Sequence, residues 1–195
     1  TGVTHRHLGL EGEEELVGNG ISFCAVCDGA FYTGQHAAMI GGGNSALQEA
    51  LLLSEVCTKV TVVQNLSDFT GERKLADALL QKDNVTAIFN TVVTAYETEN
   101  GALCGLWLQN TETGEKSAIH VDGAFLAVGL MPENEPFAEH AKLNDWGYFD
   151  SGEDCCTGTP GIFVAGDCRS KRIRQVVTAS SDGAIAAMAA CRYLD

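Results

Sequence analysis

The chain has 195 residues, enough for one substantial domain or two small ones. Twelve Lys and Arg against 26 Asp and Glu leave a formal charge of -14, which excludes a nucleic-acid backbone as a partner. No apolar run approaches the roughly 18 residues of a membrane-crossing helix, so no membrane partner is expected. The eight cysteines are spread through apolar segments of a chain long enough to bury a core without cross-links. No signal peptide opens the sequence, and a reducing cytoplasm is the expected compartment.

Thr1 to Asn19 is broken by glycines and carries the acidic stretch Glu11-Gly12-Glu13-Glu14-Glu15. It is expected to be a surface connection. Val17 to Tyr32 holds Cys24-Ala25-Val26-Cys27-Asp28-Gly29. His36 to Ile40 is predicted as a strand, Asn44 to Cys57 as a helix and Lys59 to Val63 as a strand rich in β-branched residues. Together they predict a right-handed βαβ unit. A helix over Gly71 to Leu80 and a strand over Val85 to Asn90 follow. Val92 to Glu97, Leu103 to Leu108 and Ser117 to Val121 read as antiparallel strands turned at Asn100-Gly101 and Thr113-Gly114. Ala124 to Val128 is a further apolar strand.

Beyond Gly129, Leu130 to Asn134 is expected to turn and Asp150 to Pro160 to be loop. Gly161 to Asp167 is predicted as a strand ending in Gly-Asp. Arg174 to Leu194 is predicted as a long helix whose Val176, Ala179, Gly183, Ala186, Ala187 and Ala190 form a small-residue face. Cys57, Cys104 and Cys191 are expected to be core or near-surface thiols.

Two stretches carry chemistry. Cys24 and Cys27 are spaced for a short reversible disulfide, and Asp28 stands next to them as a proton donor or acceptor. The competing readings are two unremarkable cysteines or half a zinc site. No second Cys-x-x-Cys follows, and the adjacent Cys155-Cys156 is poorly spaced for zinc. The alternative for Asp28 is a side chain that caps the local turn. Downstream, Gly41-Gly42-Gly43-Asn44-Ser45-Ala46 is a G-x-G-x-x-A run between an apolar strand and a helix, the setting of a dinucleotide fingerprint. A plain strand-to-helix turn is its structural alternative. The five histidines form no metal-ligand set.

The motifs Cys24-Ala25-Val26-Cys27-Asp28-Gly29, Gly41 to Ala46, Ala165-Gly166-Asp167 and Arg174-Gln175-Val176-Val177-Thr178 stand in the order found in one family. The whole chain resembles the low-molecular-weight thioredoxin reductases of bacteria and related flavoprotein pyridine nucleotide-disulfide oxidoreductases. The resemblance implies an α/β fold: a Rossmann-like, three-layer nucleotide-binding domain with an antiparallel appendage, plus the C-terminal part of an FAD domain. It implies that residues 1–16 end a first FAD-domain segment, 17–128 form an NAD(P)-binding-like domain with the redox pair, and 129–195 return to the FAD domain. Interdomain hinges would lie near Glu15 to Gly18 and near Gly129.

By this resemblance Cys24, Cys27 and Asp28 are catalytic, with Cys27 nearer the flavin. Gly41, Gly43, Asn44, Ser45 and Ala46 meet the nicotinamide dinucleotide. Gly166 and Asp167 meet the flavin's ribityl or pyrophosphate region. Arg174, Gln175 and Val176 approach its ring, where a helix N-terminus favours developing negative charge. The implied activity is FAD-dependent reduction of a thioredoxin-like small protein by a homodimer. The family's first FAD-binding strand and glycine loop would precede Thr1, so the chain is expected to be a fragment with an uncovered flavin-facing surface.

One departure concerns the electron donor. After the second strand, the NADPH-using members carry basic residues that clamp the 2'-phosphate. Here the stretch is Gln64-Asn65-Leu66-Ser67-Asp68-Phe69. NADPH, NADH and reduced ferredoxin therefore all stay open as donors, with Arg73 or Lys74 the nearest substitute cations. A non-catalytic nucleotide-binding fragment is the alternative from another class.

Overall fold

The computed structural model describes residues 2–195. In chain order the elements are β1 (Val3–His5), α1 (Glu13–Leu16), β2 (Ile21–Ser22), α2 (Ala25–Asp28), a 3-10 turn (Gly29–Tyr32), β3 (His36–Ile40), α3 (Asn44–Val56) and β4 (Lys59–Val63). Then come α4 (Arg73–Leu80), β5 (Val85–Ile88), β6 (Thr91–Glu99), β7 (Ala102–Asn110), β8 (Lys116–His120), β9 (Gly123–Leu126), β10 (Leu130–Pro132), a 3-10 turn (Glu135–Phe137) and α5 (Val176–Leu194). The contacts divide into two compact units. One is Arg6–Gly129. The other joins the residues up to His5 to Leu130–Asp195.

The Arg6–Gly129 unit is built on a five-stranded sheet ordered β2-β9-β3-β4-β5, with every adjacent pair parallel. Parallel strands need crossovers, and α3 and α4 supply two of them. One face of the sheet buries Met39, Val60, Val62 and Phe125 against Ala46, Leu47, Ala50 and Leu53 of α3 and Leu79 of α4. The other face buries Ala38, Ile40, Val63 and Ala124 against Val93, Leu106 and Leu108 of the antiparallel sheet β6-β7-β8. Each fully buried leucine here stabilises the unit by about 1.5–3 kcal/mol. The three layers are thus helices, parallel sheet and antiparallel sheet, as the sequence predicts. The β6–β7 turn takes positive φ at both Asn100 and Gly101, the twist-compatible hairpin geometry.

The N-terminal stretch is not the surface connection its glycines suggest. Leu16 is buried in a cluster that Leu8 and Leu10 also pack against, and the contacts group Arg6 onward with the sheet. Its acidic run contributes a buried carboxylate. Glu13 accepts from Leu8 N–H at 3.0 Å, Leu10 N–H at 3.3 Å and the Tyr96 hydroxyl at 3.0 Å, and pairs with His7 Nδ1 at 3.0 Å. Burial first, and Glu13 second, raise the Tyr96 phenol well above its ordinary range.

In the other unit β1 pairs antiparallel with β10, so Leu130 to Pro132 is a strand where a turn is expected. A small core of Ala141, Phe149, Val164 and Cys168 lies in irregular backbone. Gly161 to Asp167 forms no strand. Ile162 N–H bonds to Thr159 O, Val164 N–H bonds to Cys155 O, and Phe163 makes an isolated bridge with Cys156. Turn bonds have taken the groups a ladder would use. The last helix starts at Val176, two residues later than predicted, because Gln175 is its N-cap and closes a capping box with Thr178.

Candidate functional site: the Cys24–Cys27 turn and its neighbours

Strand β2 runs out at Ser22 and delivers the chain to Cys24, whose extended backbone caps α2. Cys24 and Cys27 are joined by a disulfide, with their Cα atoms 5.3 Å apart. Cys27 N–H points at Cys24 Sγ at 3.2 Å. A hydrogen-bond donor aimed at that sulfur favours its thiolate once the disulfide opens. The two amides flanking Cys24 are also tied. Cys24 N–H donates to Ser22 Oγ at 3.1 Å, and Ala25 N–H donates to Glu49 Oε2 at 2.8 Å. Ser22 passes the contact on by donating to Asp28 Oδ2 at 2.6 Å. The Asp28 side chain makes no capping bond to the turn that follows it, and its carboxylate is tied instead to Ser22.

Ala25 faces inward, in the same apolar cluster as Ala46, Ala50 and Leu53, while Val26 and Phe31 are about four-fifths exposed at 80% and 78%. The pair thus sits on a turn with one side fixed to α3 and an apolar side open to solvent. Tyr32 stacks edge-on against Phe125, and burial, with Asp28 second, raises its hydroxyl above the ordinary value. The remaining thiols behave differently. Burial pushes Cys57, Cys155 and Cys168 up, and Cys104 and Cys156 are raised as well, which disfavours their thiolates. Cys191 is exposed.

The glycine turn lies at the start of α3. Gly41 has φ 126°, and a Cβ there would overlap the Ala127 carbonyl, so only glycine serves. Gly42 is closed over by the buried Gln64 side chain, which a Cβ would also meet. Gly43 is the N-cap in extended conformation, and Asn44 and Ser45 open the first turn, exposed to solvent. The N–H groups of a helix's first turn have no intrahelical partner and favour anionic groups. Ala46 is fully buried against the turn, the close packing expected of a small residue there.

The stretch after β4 folds back onto this turn. Thr70 and Gly71 N–H both bond to Gly42 O, Glu72 N–H bonds to Asn44 Oδ1 at 2.6 Å, and Gln64 Nε2 bonds to Asp68 O at 3.1 Å. Two carboxylates, Asp68 and Glu72, accompany it. Arg73 is exposed and lies 3.7 Å from Asp77. Sequence reasoning did not reach Ser22, Glu49 or the Gln64 contact, since each acts through a partner distant along the chain.

The remaining predicted residues fall in the other unit. Gly166 N–H donates to Asp182 Oδ2 at 3.0 Å. Asp182 is buried and takes both Arg169 Nε, at 2.9 Å, and Nη2, at 2.8 Å, with Lys171 Nζ at 2.8 Å. The Arg169 hydrogen bonds hold its carboxyl far below the usual range. This triad fixes the Gly166 turn that carries Asp167. Among the described residues, Asp167 Oδ1 and Arg174 Nε are buried without a hydrogen-bond partner. Arg174 lies over the Tyr148 ring at 4.2 Å. Beyond it Ile173, Val176 and Val177 are 63%, 83% and 78% exposed. An unmet acceptor, an unmet donor and an apolar edge are what a flat heteroaromatic cofactor with a polar tail would meet, so these residues fit FAD.

Residues 1–183 match the pyridine nucleotide-disulphide oxidoreductase family. The chain is 37% identical over 194 residues to a thioredoxin reductase of Bacillus subtilis and 40% identical over 195 residues to one of Listeria monocytogenes. In each case all of this chain aligns with 61% of the relative. Among solved structures it superposes on Lactococcus lactis thioredoxin reductase in its FR conformation with TM-score 0.88 at 34% identity. It superposes on T. acidophilum thioredoxin reductase with TM-score 0.86 at 34% identity. Both comparisons cover all of this chain and 64% of the other. The chain thus spans less than two thirds of the length of these relatives. The match over nearly its whole length establishes that the chain belongs to the pyridine nucleotide-disulphide oxidoreductase family.

Proposed function

We propose that the protein to which this chain belongs is a flavin-dependent disulfide reductase that reduces a thioredoxin-like small protein through Cys24 and Cys27. The observation that carries the reading is the Cys24–Cys27 disulfide itself, with Cys27 N–H aimed at Cys24 Sγ and Asp28 tethered beside it. We assign the nicotinamide nucleotide to the Arg6–Gly129 unit, at Gly41, Gly43, Asn44, Ser45 and Ala46. We assign FAD to Gly166, Asp167, Arg174, Gln175 and Val176 of the other unit. The chemistry FAD supplies when bound is two-electron carriage from the donor to the disulfide.

In the reduced pair, Cys24 Sγ is the attacking thiolate, stabilised by Cys27 N–H. It displaces one sulfur of the partner's disulfide and forms a mixed disulfide. Cys27 Sγ then attacks Cys24 Sγ, which restores the Cys24–Cys27 bond and releases the partner as a dithiol. Of the two protons needed by the released thiols, one comes from Cys27 by way of the Asp28 carboxylate, and the other, given up when Cys24 ionised, returns from solvent. Val26 and Phe31 give the partner an apolar surface next to the sulfurs. A cytoplasmic homodimer is the assembly that suits this reading. None of the described helices is long and apolar enough to cross a membrane.

The test uses a Cys27→Ser variant, whose Cys24 has no resolving thiol. Incubated with an oxidised thioredoxin, it is expected to accumulate a mixed disulfide through Cys24, seen by mass spectrometry. No such adduct would overturn the assignment. A second reading of the donor is favoured by the Gln64-to-Glu72 stretch, which folds back beside the glycine turn and carries Asp68 and Glu72 but no cation. Calorimetry with NADPH and NADH side by side decides it. Binding of neither favours another donor, such as reduced ferredoxin, or a non-catalytic fragment.

A further inference from the structure

The Glu49 carboxylate has no part in the chemistry above, yet it is bonded to the amide that joins Cys24 to Ala25. Helix α3 fixes its position. Glu49 stands beside the buried Ala50 and one turn before the buried Leu53, both in the apolar cluster that also holds Ala25. Leu53 in turn packs closely enough under Gly29 that a Cβ there would lie 3.2 Å from it. The helix and the cysteine turn are therefore one packed body, and the carboxylate cannot swing away without breaking its bond to Ala25 N–H.

A negative charge held at this place has a definite effect on the cysteines. Opening the disulfide creates sulfurs that gain charge as they ionise, and Cys24 Sγ is favoured as the thiolate by Cys27 N–H. A fixed carboxylate on the neighbouring amide opposes that ionisation and offsets the hydrogen bond. The dithiol is then less stable relative to the disulfide, so the pair is the more reducing. Titratable groups packed around the turn include Asp28, bound to Ser22, Tyr32, whose hydroxyl stays protonated, and Cys57, whose Sγ lies 3.4 Å from Tyr32 O. A strongly reducing pair is what a reductase needs in order to drive electrons onto another protein's disulfide.

We propose that Glu49 is a positioning residue that lowers the reduction potential of the Cys24–Cys27 disulfide by opposing thiolate formation at Cys24. The inference rests on the reading of Cys24 and Cys27 as the redox pair. Glu49→Gln keeps an oxygen to accept the Ala25 N–H and removes the charge. Glu49→Asp keeps the charge.

The native chain and both variants are equilibrated at pH 7 with graded ratios of reduced to oxidised glutathione, extended to lower potential with dithiothreitol. In the glutathione mixtures two thiols each give up one electron and join as the oxidised dimer. The Cys24–Cys27 bond breaks and takes up the two electrons and two protons. The oxidised fraction is read at these two residues alone, by alkylation and peptide mass spectrometry. Glu49→Gln is expected to shift the equilibrium toward the dithiol about tenfold, or ~30 mV, and to lower the pH at which Cys24 is alkylated at half its maximal rate. Glu49→Asp is expected to stay within about twofold of native. An unshifted Glu49→Gln that retains its circular dichroism overturns the proposal. So does an equal shift in both variants, because the effect would then follow side-chain geometry and not charge. Electron transfer from the native dithiol to an oxidised thioredoxin is measured separately. Its failure would sink the reductase reading while the potentials still decide the role of Glu49.

Discussion

The two units solve the same problem with different forces. In Arg6–Gly129 a parallel sheet is buried on both faces, by α3 and α4 on one side and by β6-β7-β8 on the other. In the other unit four apolar residues form the core, and α5 has one buried residue, which is the charged Asp182. Apolar burial is non-directional and sums over many contacts. A buried ion triad is directional and depends on each member. The first arrangement suits a rigid platform for the cysteine turn and the glycine turn. The second fixes one backbone feature, the Gly166 turn beside Asp167, and leaves the apolar start of α5 open.

That contrast predicts where damage will be sharpest. Asp182→Ala leaves Arg169 and Lys171 buried without their carboxylate, which costs about 3–5 kcal/mol. Hydrogen exchange followed by mass spectrometry should show the loss over residues 130–195 and leave Arg6–Gly129 protected. Uniform deprotection of both units would contradict the division. The carboxyl's depressed pKa gives the matching pH dependence. Its stabilising effect is present above the unfolded value, near 3.8, and is lost as pH falls through the lower folded value.

The reciprocal change is Leu53→Ala, at a fully buried position of α3. It should cost about 2–5 kcal/mol and deprotect the sheet unit, with the Gly166 turn unaffected. It should also loosen the cysteine turn, since Leu53 underlies Gly29.

The smallest effect concerns His36, whose pKa is lowered by burial and next by Lys59. Its Nε2 lies 2.9 Å from Thr61 Oγ1. Because the folded value is depressed, the unfolded chain takes up the proton first. The stability this site contributes is present above 6.5 and falls as pH drops through that value toward the folded one. Thermal unfolding at pH 7.5 and 5.5 should show a fall that His36→Gln reduces. An unchanged pH slope would remove the site from the account.

Much of the sheet unit is legible in the sequence because its signals are local. The apolar spacing of Ala46, Ala50 and Leu53 marks α3, the β-branched run at Val60 to Val63 marks β4, and Gly41 to Ala46 marks the turn between strand and helix. The cysteine spacing likewise announces its own disulfide. What stayed hidden depends on distant partners. Glu13 sits in an acidic run that looks solvated, and its burial requires a tyrosine from β6 and two backbone amides. Glu49 lies off the apolar stripe of α3, as a surface residue would, and its partner amide is 24 positions upstream. Gly161 to Asp167 has strand-like composition, but composition does not supply a neighbouring strand to pair with.

The central claim is that Cys24 and Cys27 carry two electrons to another protein's disulfide. The most direct measurement reduces the chain, removes the reductant, mixes it with an equimolar oxidised thioredoxin and counts thiols on each protein by alkylation and mass. Two thiols are expected to appear on the thioredoxin as two disappear from Cys24 and Cys27, and Cys24→Ser is expected to abolish the exchange. A thioredoxin that stays oxidised, or exchange that survives Cys24→Ser, would contradict it.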